Sequence, residues 1–128
     1  MTTSNAAMDV AQWLRDKGLP KVFTDYAPEV QSIPYNDVVV GGYGGEPSDL
    51  YWKGEYPRVQ VLVRCDNYAA GQLMIQQIYD WLHGASEVFI NNNRYLLLQA
   101  LQAPFFLKRD ERNINHFAVN FRTIREIQ

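Results

Sequence analysis

At 128 residues, with 47% hydrophobic and 20% charged residues, the chain has globular composition and the length of one domain, residues 1–128, whose core needs no staples. A net charge of −2 argues against tight binding to a phosphate backbone, which needs concentrated Lys and Arg. The lone Cys65 excludes an internal disulfide and a Cys-based zinc cluster, and no apolar run approaches the roughly 20 residues that span a bilayer, so no membrane partner is expected.

Ser4 can cap a first helix running to about Lys17, with Met8, Ala11, Trp13 and Leu14 on its apolar face. Gly18 and Pro20 stop it. Val22 to Tyr26 reads as a short strand, and Pro28 and Pro34 keep the next stretch extended or turning. Val38 to Val40 reads as a strand. Gly41, Gly42, Gly44, Gly45 and Pro47 then predict a long loop that continues to Pro57. Val59, Val61 and Val63 alternate with Arg58, Gln60, Leu62 and Arg64, which predicts a strand with one apolar face.

Asp66 or Asn67 can cap a second helix, in which Met74, Ile75, Ile78, Leu82 and Ala85 form a stripe flanked by Leu73, Tyr79 and Trp81. Gly84 ends it. Glu87 to Ile90 and Arg94 to Ala103 predict a hairpin, because Asn91, Asn92 and Asn93 tolerate the left-handed backbone of its turn. Pro104 stops the second of these strands, and a loop from Phe105 to Asn113 follows. Phe117, Val119 and Phe121 alternate with Ala118, Asn120 and Arg122 in a last strand. The order predicts an α+β fold: an antiparallel or mixed β-sheet with two α-helices packed on one face.

Chemistry-bearing residues are sparse. Cys65 with His83 or His116 would be the nucleophile and base of a small hydrolase, but no local cysteine-protease signature surrounds it. A buried, inert thiol is the simpler reading. Asp110 and Glu111 are neighbours on a loop, flanked by Arg109 and Arg112, which suits a solvated turn better than an acid–base pair. The glycine run lacks the Lys-Ser/Thr ending of a phosphate loop. No catalytic residue, cofactor or metal ligand is therefore assigned. Tyr43, Tyr51, Trp52 and Tyr56 could stack on single-stranded bases. With little basic charge beside them they fit a protein partner better. They form the predicted interface together with Arg109, Asp110 and Arg112.

The Val59-Gln60-Val61-Leu62-Val63-Arg64 strand, the polar cap and the helix holding Ile78-Tyr79-Asp80-Trp81-Leu82-His83-Gly84 resemble phage tail terminator and minor capsid (head–tail joining) proteins. Ala103-Pro104, then Arg109-Asp110-Glu111-Arg112, then Phe117-Ala118-Val119-Asn120-Phe121-Arg122 continue the resemblance. Where such proteins often carry glycines around the Asp-Glu loop, this chain has Lys108 and Asn113-Ile114. The resemblance implies a structural virion protein at the head–tail junction, assembled in the cytoplasm of a bacterial host. It would form a homo-oligomeric ring, commonly a hexamer, that caps the tail tube and meets the tube protein and a head-completion protein. Genomic DNA would pass through without specific binding, with Glu46 and Asp49 as candidates for an acidic inner wall.

Overall fold

The computed structural model describes residues 5–19, 21–26, 36–46 and 54–126, with 44–46 described as backbone only. Helix α1 (Ala6–Asp16) is capped by Asn5, whose side-chain oxygen accepts from the Met8 amide at 2.8 Å. The predicted cap, Ser4, lies outside the described residues, as do Pro20, Pro28 and Pro34. Gly18 ends the helix with φ 106°, a left-handed conformation that glycine adopts without strain. Ala6, Ala7, Val10, Ala11 and Leu14 are buried, while Met8 is 47% exposed. The apolar stripe is thus turned away from the predicted Met8 face, because the small alanines let the helix lie close to the sheet.

Among the described residues, seven strands build one sheet: β1 (Val22–Thr24), β2 (Asn36–Glu46), β3 (Gly54–Cys65), β4 (Val88–Ile90), β5 (Asn93–Ala100), β6 (Phe105–Arg109) and β7 (Asn115–Glu126). Their order is β1-β2-β3-β7-β5-β4, with β6 also paired to β7. β1 runs parallel to β2 and every other pairing is antiparallel, so the sheet is mixed. Two expectations are corrected here. The glycine run from Gly41 to Gly45 is part of β2, held by the β3 ladder through Gly41↔Gln60 and Gly42↔Val59. Of the predicted long loop, residues 41–46 and 54–57 are therefore strand, and residues 47–53 lie outside the described residues. The stretch from Phe105 to Arg109 is likewise a strand rather than a loop.

Helix α2 (Tyr68–Leu82) starts at Asn67, whose side chain accepts from the Ala70 amide at 2.9 Å. Its buried face is Gly71, Ile75, Ile78 and Leu82, and Leu73 lies off it at 73% exposed. Ala85 falls beyond the helix and bridges to Leu98. The β4–β5 turn uses Asn91 and Asn92 at φ 52° and 67°, the left-handed geometry that asparagine tolerates best among non-glycine residues.

Both helices lie on one face of the sheet, α1 over β1, β2 and β3, and α2 over β3, β7 and β5. Between them and the sheet sit Val38 and Val40, Val59, Val61 and Val63, and Phe117, Val119 and Phe121, all essentially without solvent contact. Each such side chain stabilises the fold by roughly 1.5–3 kcal/mol through burial. One carboxylate shares this interior. Asp9 of α1 accepts from Asn91 and Asn93 at 2.9 Å each, from the Tyr95 hydroxyl at 2.5 Å, and meets Arg125 at 3.4 Å. Arg125 also pairs with Glu55. Burial first, and then the Asp9 hydrogen bond, push the Tyr95 hydroxyl far above its usual range, so it stays a donor. Among the described residues no buried side-chain nitrogen or oxygen lacks a partner.

Candidate functional site

The predicted interface residues fall into separate places. Tyr43 stands on β2, 43% exposed, on the sheet face opposite the helices. Tyr56 is half-buried on β3, where it pairs with Glu46 beyond a bulge in β2. Arg109 is the last residue of β6, and Asp110 and Arg112 belong to the β6–β7 turn. Along β3, Arg58 faces Tyr43 and Arg64 faces His116, next to that turn. Six residues of strand separate these rows, about 20 Å, so the two groups form no single patch. Tyr51 and Trp52 lie outside the described residues, as does Asp49, and the side chain of Glu46 is likewise not described.

Asp110 organises its turn. Its Oδ1 accepts from the Arg112 and Ile114 amides at 2.9 and 3.1 Å, and its Oδ2 lies 3.0 Å from His116 Nε2. Asn113 takes φ 62° there, supplying the left-handed residue that a glycine would otherwise provide. Arg109 Nε donates to Asn115 Oδ1 at 3.0 Å, and Asn115 in turn donates to the Cys65 carbonyl at 3.2 Å. The His116 contact, followed by the two amides, holds the Asp110 carboxyl below its usual pKa. A depressed native pKa adds stability that is complete above the ordinary carboxylate value of about 3.9 and is lost as pH falls through the lower native value. Asp110→Asn is therefore expected to lower the urea midpoint at pH 7, and the gap from the unchanged chain should close below about pH 4.

Cys65 and the histidines do not assemble. Cys65 is buried, and that burial pushes its thiol up, away from the reactive thiolate. His83 Nδ1 accepts from the Ala100 amide at 3.0 Å and the ring stacks on Tyr79 at 4.9 Å. His116 is turned to Asp110, so neither ring bonds Cys65. Among the described residues no three of His, Cys, Asp and Glu come close enough to hold a metal ion. Among the described residues no helix is long and apolar enough to cross a membrane.

A feature the sequence reading passed over lies at β6. β5 and β6 run one after the other along the same edge of β7, β5 against residues 121–125 and β6 against 115–118. The break between them holds Ala103-Pro104. β4 covers the far edge of β5, but among the described residues no strand covers that of β6. Along β6, Phe106 and Leu107 are 43% and 50% exposed. Phe106 joins Tyr68 and Phe117 in a ring cluster with centroids 5.2–5.5 Å apart. Lys108 and Arg109 charge the end of the strand, whereas its Phe105–Leu107 half carries none of the charges that usually blunt an open edge. The opposite end of the sheet is better guarded: Arg15 donates to the Val22 carbonyl of β1 at 2.8 Å. The apolar run after Pro104 was the available signal.

The family model for the bacteriophage tail terminator protein matches residues 6–127, nearly the whole chain. The chain belongs to the bacteriophage tail terminator family. It is accordingly a structural protein of the phage tail, located in the virion. A chain from the virion of a native gene transfer agent particle has the same fold, with a TM-score of 0.67 at 20% identity, over 96% of this chain and 99% of that one. No curated protein gives a significant match. In this tail terminator family member, the β6 edge and the face opposite the helices are two of the surfaces that the core of the described residues does not consume.

Proposed function

We propose that the chain caps the tail tube as a closed ring of its own copies, hexameric as is common for such proteins. The ring ends tube growth and presents a docking surface to the head-completion protein. It assembles in the cytoplasm of a bacterial host and occupies the head–tail junction, and the genome passes through it without sequence recognition. Nothing in this role requires catalysis. The observation that carries the reading is the tail terminator match over residues 6–127. The β6 edge supplies a physical basis. A ring needs head-to-tail contacts between two different surfaces of each copy, and an uncovered strand with exposed apolar side chains is one half of such a contact. Tyr43, Tyr56, Arg109 and Arg112, with Tyr51 and Trp52, remain candidates for contacts to the tube or head partner.

The test is size-exclusion chromatography with light scattering and negative-stain microscopy, alone and with tail-tube protein. Rings are expected. Leu107→Glu should weaken each contact by about tenfold, roughly 1.4 kcal/mol, while leaving the denaturation midpoint nearly unchanged. A strict monomer that never associates with tubes would overturn the reading.

A further inference from the structure

The β6 edge has a counterpart at the other end of the same sheet. Strand pairing carries two neighbouring rows across five strands. One runs Val22, Val38, Val63, Phe117 and Phe106, and the other runs Phe23, Val39, Leu62, Ala118 and Phe105. Both rows are apolar from end to end. The first lies on the helix side, where all but Phe106 are buried, and the second lies on the opposite side. β1 and β6 therefore sit at the same level of the sheet, one at each end of these rows.

The backbone of β1 keeps groups available for a further strand. Its parallel pairing to β2 uses Lys21, Phe23 and Asp25: the Val38 amide donates to the Lys21 carbonyl and the Asp25 amide to the Val40 carbonyl, each at 2.9 Å. Val22 and Thr24 therefore turn their amides and carbonyls away from the sheet. Arg15 takes one lone pair of the Val22 carbonyl, and among the described residues no strand takes the remaining groups. Direction also fits. β1 runs with β2, and three antiparallel steps lead from β2 through β3 and β7 to β6, so β1 and β6 run in opposite senses. A second copy set beside the first in the same orientation brings its β1 to β6 as an antiparallel neighbour, the more stable pairing per residue. The lengths match too: β1 and the apolar Phe105–Leu107 part of β6 are each three residues long.

We infer that β6 of one copy pairs with β1 of a second copy, so that neighbouring sheets join edge to edge. Phe106 continues its row onto the second copy's Val22, and Phe105 continues onto its Phe23. A stagger of two residues, of the kind that closing a sheet requires, keeps every side chain on its own face. Each copy gives a different edge to each neighbour and keeps its strand direction. The contact is therefore head-to-tail about an axis along the strands, and it forms a ring when the rotation closes. Pairing of β6 with β6 would instead stop at two copies. The inference rests on the ring reading for closure and adds to it the segment that β6 meets.

The experiment is crosslinking of the full chain with a short bismaleimide whose reach spans a two-residue stagger, read on denaturing gels, with light scattering on the same samples. The double variant Phe23→Cys/Phe105→Cys should give covalent ladders up to the ring size. Either single substitution, which also keeps the buried Cys65, should give none. Thr24→Pro removes an outward amide and leaves the β2 ladder intact. It should abolish rings at concentrations where the unchanged chain is fully assembled, with the circular dichroism spectrum retained. Rings without ladders in the double variant, rings that persist in Thr24→Pro, or crosslinked dimers from Phe105→Cys alone would overturn the inference. The first two of these leave the ring reading standing, whereas an unchanged chain that stays monomeric at every concentration would overturn both.

Discussion

Asp9→Ala is expected to lower stability by about 3–5 kcal/mol, which for a domain of this size is a large part of the total. The wild-type carboxylate is fully buried and gathers four donors from two separated segments, Asn91, Asn93 and Tyr95 from the β4–β5 hairpin and Arg125 from β7. Removing it takes one partner from the largely buried Arg125 guanidinium, which keeps Glu55, and leaves the Tyr95 hydroxyl, which burial keeps protonated, without its acceptor. An uncompensated buried charge costs more than the pair gained, so truncating one partner is worse than its bond count implies. Retention of Glu55 should hold the loss toward the lower end. Asp9→Asn keeps the shape and one acceptor and should cost less. Urea unfolding at pH 7 measures both. A loss within 1 kcal/mol for Asp9→Ala would mean that water replaces the carboxylate and the network is not a tie between α1, the β4–β5 turn and β7.

This network also marks where sequence reading ends. Asp9 and Arg125 are 116 positions apart, and nothing in the local pattern around either points to the other. Alternation and helical spacing are local signals, so the strand of Val59, Val61 and Val63, the α2 stripe, the Asn67 cap and the Asn91–Asn92 turn could all be read directly. The β2 glycines could not. Glycine predicts a loop from its own preferences, yet here β3 provides the ladder and decides the outcome. β6 failed for a related reason. Pro104 correctly marked a break, but the strand resumes at Phe105 because β7 extends past β5 and offers a partner. The candidate surfaces suffered most. In sequence Tyr43 reads as a loop aromatic, whereas Arg58, Arg122 and Gln99, which share its row across the sheet, lie 15, 79 and 56 positions away and align with it only through register.

Gly71→Ala provides a test in which helix propensity and packing predict opposite signs. Propensity alone says that alanine inside a helix gains up to about 1 kcal/mol over glycine. The geometry of α2 reverses this. A Cβ at Gly71 would lie 2.6 Å from Phe117 Cε2, closer than such atoms approach, and a tight 3.0 Å from Cys65 Cβ. Neither neighbour can yield easily. Cys65 Cβ is fixed to the end of β3, and the Phe117 ring is wedged between Tyr68 and Phe106. Forcing a methyl group into such a site costs about 1–3 kcal/mol. The net expectation is a loss of about 1–2 kcal/mol once the propensity gain is subtracted. Gly71→Val should cost more, since it adds volume and a stiff χ1. Thermal unfolding of the three forms gives the answer. A rise in midpoint for Gly71→Ala would show that α2 can lift from the sheet at its first turn. In that case the Tyr68–Phe106–Phe117 cluster, and with it the Phe106 side of the β6 edge, would be softer than the packing described here requires.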